Sequence, residues 1–155
     1  MTVYLIRHAP AEPRSSELRD DARPLTARGR KRWRRAVRGL GRLGVRFERV
    51  IHSPLLRAVE TAEELLQLCD GESAVSTRLA DRPGPDLLTE LHGKSVALVG
   101  HEPWLSELVA LLVLGDASEA PRFLLRKGSV CELEGMPVPG GMQLISLLPM
   151  AALEH

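Results

Sequence analysis

The sequence predicts an α/β fold: a single three-layer α/β/α domain with a mainly parallel central sheet. Three observations carry this expectation. Short uncharged runs of β-branched and aliphatic residues, at Thr2–Ile6, Val50–Ile51 and Ser95–Val99, read as strands buried on both faces. Between them lie segments with apolar residues at three- and four-residue steps, the period of a helix with one face packed inward. Their alternation, closed by two strands around a Gly/Pro turn, is the order of a sheet covered by helices on both sides. A length of 155 residues, with 44% hydrophobic and 26% charged residues, fits one globular domain with its own core.

Taken in order, Thr2–Ile6 is a central strand, and residues 9–24 form a polar loop holding Pro10, Pro13 and Pro24. Thr26 is a suitable N-cap for a helix from Ala27 to about Leu43, with Trp33, Ala36, Val37, Leu40 and Leu43 on its inner face. Val50–Ile51 is a short second strand. Ser53 and Pro54 have the residue types of an N-cap and a first helical position for a helix over 55–68. Residues 74–77 read as a short edge strand, and Asp86 as the cap of a short helix ending at Leu91. Ser95–Val99 is a third buried strand, and Pro103 opens an apolar helix to Leu114. Val130–Leu133 and Met142–Leu147 flank a turn at 137–141. Leu153–His155 has the composition of an expression-tag remnant, which sets the expected domain at 1–152.

The net charge of +1 hides an asymmetry. Residues 1–49 hold 14 Lys/Arg against 5 Asp/Glu, a net of +9, and residues 50–155 carry −8. Much of the excess is an Arg stripe on the helix that starts at Ala27. Trp33 lies on that helix's apolar face, so no stacking platform for bases is present and no nucleic-acid partner is expected. Solvent is the expected neighbour of the stripe, as it is of Glu63 and Glu64. No apolar stretch reaches the length of a membrane span, and the N-terminus reaches Arg7 and His8 too early for a signal peptide. Cys69 and Cys131 lack ligand spacing, so a reduced cytoplasmic protein without a metal site or cofactor is expected.

In parallel sheets, sites form outside the carboxyl ends of the strands. Here those ends read Arg7-His8, His52-Ser53-Pro54 with Arg57 one turn later, and Gly100-His101-Glu102-Pro103. Brought together, two Arg and two His would converge with two helix N-termini. Guanidinium forks and free backbone N–H groups suit a tetrahedral oxyanion. A neutral imidazole is a nucleophile toward phosphorus near neutral pH, and the phosphoramidate it forms is labile to hydrolysis. Such a reaction calls for no metal. His52 and His92 read as structural or exposed residues.

Leu5-Ile6-Arg7-His8-Ala9 resembles the RHG signature of the histidine phosphatase superfamily (phosphoglycerate mutase-like), with Ala9 in place of Gly. Arg23-Pro24-Leu25-Thr26-Ala27-Arg28-Gly29 is similar to its RPLTxxG segment, and Arg126-Lys127-Gly128 to a KKG stretch of its short members. Arg57, within Ser53–Ala62, and His101, in Val99–Pro103, match the remaining pocket positions. Motif order is kept along nearly the whole chain, and its shortness resembles the SixA-type phosphohistidine phosphatases. The resemblance implies His8 as the phosphorylated nucleophile and a phosphate pocket of Arg7, Arg57 and His101, with Arg23 reaching the same pocket. It implies a metal-independent phosphatase without cofactor, acting on phosphohistidine of a protein such as a phosphorelay domain. Small phosphate esters are the alternative substrates, and a non-catalytic phosphate-dependent binding module is the alternative of another kind. Larger relatives take a general acid from an insertion missing here. Asp81, in the corresponding stretch, is the first candidate for that acid and Glu102 the second; a phosphoramidate already protonated on nitrogen needs neither.

Overall fold

The computed structural model describes residues 1–155. Six strands and four helices follow in the order β1 (Thr2–Arg7), α1 (Ala27–Arg42), β2 (Phe47–His52), α2 (Leu56–Leu65), β3 (Cys69–Val75), β4 (Ser95–Gly100), α3 (Trp104–Leu114), β5 (Val130–Gly135), β6 (Met142–Leu148) and α4 (Met150–Leu153), with short 3₁₀ turns between them. One sheet has the strand order β3-β2-β4-β1-β5-β6. Strands β1 to β4 run parallel, whereas β5 is antiparallel to β1 and β6 to β5. The sheet is therefore mixed. The chain leaves α3, passes back over the carboxyl end of β1 and enters β5 there, where Arg7 N donates to Ser129 O at 3.2 Å, so β5 can only run the other way.

Alternation along the central strands builds two cores. Tyr4 and Ile6 of β1 face Trp33, Val37 and Leu40 of α1, Ala58 and Ala62 of α2, and Met150 and Leu153 of α4. Val3 and Leu5 face Leu105, Leu108, Val109 and Leu112 of α3 with Leu79, Leu87 and Leu125. The helix layers thus cover both faces, as the alternation of elements predicts. No helix is long and apolar enough to cross a membrane.

Thr26 caps α1 as expected, its side chain accepting from Gly29 N at 2.8 Å. Ser53 does not cap α2: the chain bends at Pro54 and Leu55, and the helix begins at Leu56 with Leu55 at its N-cap. Residues 66–68 close that segment as a 3₁₀ turn. β3 starts at Cys69, earlier than alternation suggests, because an exposed edge strand needs no apolar face. The short turn at Pro85–Glu90 is 3₁₀, with Gly84 rather than Asp86 at its cap.

One charge expectation changes in part. Most of the basic side chains of α1, Arg28, Lys31, Arg35, Arg38 and Arg42, are exposed as expected, but Arg30 and Arg34 meet the acidic face of α2. Arg30 pairs with Glu60 at 2.8 Å and Glu64 at 3.2 Å, and Arg34 with Glu64 at 2.9 Å. Glu64 is accordingly well covered, its side chain 13% exposed. Residues 153–155 pack onto the fold. Leu153 is 2% exposed in the core, and Glu154 forms a forked pair with Arg32 at 2.7 and 3.0 Å. Gly39 permits this docking: a Cβ there would stand 1.9 Å from Leu153 O.

Candidate active site

The sheet order places the carboxyl ends of β1, β4 and β2 side by side. Arg7 is in register with Gly100 and His52 with Val99. Each chain then turns off its strand under backbone control, with His8 N donating to Gly100 O at 3.1 Å and Ser53 N to Val99 O at 3.0 Å. Above these ends lies a cavity of about 340 Å³ lined by Arg7, His8, Pro13, Arg14, Arg23, Arg57, His101, Glu102 and Lys127, with no hydrophobic side chain among them.

His8 is 5% exposed, and its Nδ1 lies 2.8 Å from Ala9 O. A carbonyl only accepts, so Nδ1 carries the proton and Nε2 keeps its lone pair. Burial, with His101, Arg57 and Arg7 adding positive charge, pushes the His8 pKa down to about 3, against the pull of the Ala9 carbonyl. His101 sits beside it, ring centroids 5.3 Å apart, and burial with Arg57 lowers its pKa to about 4. Its Nε2 is 2.8 Å from Ser53 Oγ, which also accepts from Leu55 N at 3.2 Å, ahead of the first turn of α2.

The arginines are held from opposite sides. Arg7 Nη1 donates to Leu125 O at 3.0 Å. Arg57 Nη1 donates to Asp20 O at 2.8 Å, and Arg23 Nη1 to Glu12 O at 2.7 Å. Arg7 Nε, Arg57 Nε and His101 Nδ1 are the three buried side-chain nitrogen or oxygen atoms in the chain that lack a partner. All three belong to residues lining this one cavity. Buried polar atoms are ordinarily paired, so the cavity keeps unspent hydrogen-bonding capacity.

The sequence reading does not assign to the site two charged lining residues, Arg14 and Lys127, or a third residue that contacts the lining arginines from beside it. Arg14 lies in an aperiodic loop. Lys127 is brought in by the turn at Gly128, whose φ of +76° and whose position against Met150 Sδ, 2.6 Å from a would-be Cβ, admit only glycine. Asp20 is the third. Its carboxylate touches Arg23 at 2.9 Å, Arg57 at 3.2 Å and Arg14 at 3.3 Å. Burial disfavours its ionisation, but Arg57, Arg23 and Arg14 outweigh it and hold Asp20 below the usual carboxylate range. Asp20 is thus a counter-ion to the arginines. An oxyanion entering the cavity competes with it, so Asp20→Asn is expected to lower the inhibition constant of inorganic phosphate a few-fold, in keeping with the roughly 0.2–1 kcal/mol of an ion pair near the surface.

Arg23 reaches the pocket as expected. Of the two acid candidates, Asp81 does not: the turn at Thr77–Leu79 buries Leu79, and Asp81 follows it exposed and outside the cavity lining. Glu102 is in the lining. Burial raises its pKa, opposed by Ser106 and Arg7. It also lines a neighbouring groove of about 580 Å³ with Arg7, Pro103, Phe123, Leu124 and Leu125, so it stands on the wall between the two spaces. His52 is buried against Ser53 O and outside the cavity, and His92 is exposed.

Two buried neutral histidines give the fold an acid liability. Each has a folded-state pKa below its unfolded value, so the unfolded chain binds more protons between these values. Stability is then complete above about pH 6.5 and is lost as pH falls toward 4 and 3. The expected slope is about 1.4 kcal/mol per pH unit for each histidine. Urea midpoints from pH 7 to 4 should show it, and His101→Gln should reduce it.

Comparison with known proteins bears on the same residues. The sequence profile of the histidine phosphatase superfamily (branch 1) matches residues 3–85. The chain is 32% identical over 124 residues to an uncharacterised protein of Picosynechococcus sp., covering 75% of each chain. It is 31% identical over 125 residues to the phosphohistidine phosphatase SixA of Escherichia coli K12, covering 75% of this chain and 76% of that one. The structure of the protein histidine phosphatase SixA complexed with tungstate superposes with a TM-score of 0.82 at 25% identity, covering 99% of both chains.

Proposed function

Because this chain belongs to the histidine phosphatase superfamily and is a phosphatase, we propose that it works through a phosphohistidine intermediate on His8. The observation that carries this reading is the set of three unpartnered nitrogens, on Arg7, Arg57 and His101, around a histidine whose Nε2 is free. A phosphoryl group bound there takes hydrogen bonds from all three residues, with Arg23 at the rim. The Nε2 lone pair attacks phosphorus and the N–P bond forms. The bond to the leaving atom breaks, its electron pair departs with that atom, and a proton from Glu102 neutralises it. Charge on the equatorial oxygens is matched by the guanidinium groups, so the step needs no metal. Water then attacks phospho-His8 and gives a proton to the Glu102 carboxylate. The N–P bond breaks, its electrons return to Nε2, and phosphate leaves. Glu102 takes the acid role in preference to Asp81 because it lines the cavity.

The substrate we propose is phosphohistidine on a protein. The wholly polar and charged cavity at the sheet end and the similarity to the phosphohistidine phosphatase SixA support it. A second reading, small phosphate esters, is favoured by the apolar groove beside the cavity, which offers room for an organic leaving group. The test is rapid quenching with ³²P-labelled substrate in base. Label is expected on His8, stable in base and lost in acid; turnover with no protein-bound label would overturn the intermediate. Comparing kcat/KM on a phosphohistidine protein and a panel of small esters decides between the two substrates.

A further inference from the structure

The wall between the cavity and the groove is a carboxyl group in a small closed network. Glu102 Oε1 lies 2.8 Å from Ser106 Oγ, and the same Oγ lies 2.8 Å from the carbonyl oxygen of Phe123. Ser106 is 6% exposed, so water has little access to either contact. A serine hydroxyl has one proton to give. The Phe123 carbonyl can only accept, and so can an ionised Glu102. With a carboxylate, one of the two close contacts would therefore set lone pairs against each other. Both contacts are satisfied when Glu102 is neutral: the acid donates to Ser106 Oγ, and Ser106 donates onward to Phe123 O.

We propose that Ser106 is a positioning residue for the acid step, keeping Glu102 protonated on the wall between the phosphoryl cavity and the leaving-group side. This rests on the phosphatase reading above. Burial of the carboxyl and the charge of Glu107 act in the same direction, while the Ser106 hydroxyl, if it donates to the carboxylate, acts against it together with Arg7 and the Ser106 backbone N–H. When Glu102 turns and releases its proton to the leaving atom, the Ser106 hydroxyl rotates from Phe123 O to the new carboxylate. When water attacks the phosphoenzyme, its proton returns to Glu102 and the network resets. No partner beyond substrate and water is consumed. Phe123 follows the 3₁₀ turn Ala117–Arg122, which walls the groove, so the acid is also tied to the segment that borders the leaving group.

The test is the pH profile of kcat/KM for two small substrates, an alkyl phosphate with a poor leaving group and 4-nitrophenyl phosphate with a good one. A general acid is active while protonated, so activity on the alkyl phosphate falls as pH rises through the Glu102 pKa. In Ser106→Ala the falling limb should move to lower pH, and at pH 7.5 the alkyl phosphate should lose about 10-fold, a part of the usual contribution of a general acid. The loss on 4-nitrophenyl phosphate should be smaller. Ser106→Thr keeps the hydroxyl and should restore the limb, and Glu102→Gln should abolish it. A limb that moves to higher pH would make Ser106 a donor to the carboxylate and overturn the proposal; so would an unmoved limb. Absence of turnover of both substrates by the unsubstituted enzyme, together with a phosphohistidine protein, would instead sink the phosphatase reading.

Discussion

His8→Ala is expected to lower kcat/KM by about 10⁴-fold or more, with phosphate binding largely kept. The reason is a division of labour. In the proposed mechanism His8 supplies the lone pair that forms the covalent bond, whereas His101, the other neutral imidazole of the lining, has its Nε2 engaged by Ser53 Oγ at 2.8 Å. Removing a nucleophile typically costs several orders of magnitude, while the remaining charge stabilisation still acts on bound substrate. The anion-binding donors of Arg7, Arg57 and His101 do not pass through His8. Steady-state kinetics beside calorimetric titration with inorganic phosphate checks both halves. A variant retaining a tenth of wild-type turnover would exclude His8 as nucleophile.

Trp33→Ala is expected to have the largest effect on stability, about 3–5 kcal/mol. Trp33 is fully buried in the core between α1 and the sheet, and its indole N–H donates to Thr61 O at 2.9 Å. The substitution leaves a large cavity and removes a buried donor. The site is not insulated from this loss. Thr61 Oγ donates to Arg57 O at 2.7 Å and accepts from Ala9 N at 3.0 Å, so the same helical turn positions Arg57 and the residue after His8. A urea midpoint shift should therefore appear together with reduced kcat, whereas an exposed change such as Arg38→Ala should leave both alone.

The central residues of the site were legible because strand ends are legible. Arg7-His8 and Gly100-His101 each follow an uncharged run that can only be a buried strand, and parallel strands place their carboxyl ends together. Side chains on aperiodic segments were not. Arg14 and Lys127 reach the cavity, and Asp20 reaches its arginines, through irregular segments that leave no periodic trace. Asp81 was misplaced because its position in the chain was taken for its position in space; burial of Leu79 decides where it goes. Ser53 has the residue type of a cap, but its hydroxyl is taken by His101 from 48 residues away. The pairing of Arg30 and Arg34 with α2 was hidden for the same reason: Arg34 and Glu64 are 30 residues apart and meet only once both helices lie on one face of the sheet.

Arg7 is fixed by a carbonyl 118 residues further along, and Arg57 by one 37 residues before it. The anion site is therefore a report on the completed chain. A partly folded form lacking the return of residues 125–129 to β1 has the sequence motifs but no pre-set receptor. An anion bound only by the finished state shifts the folding equilibrium by RT ln(1 + [L]/Kd), which is about 2.7 kcal/mol at a hundredfold excess over Kd. On the proposed reading of the site, phosphate is then a folding ligand as well as a product, and a thermal shift with phosphate measures how much of a preparation has assembled its far-flung contacts.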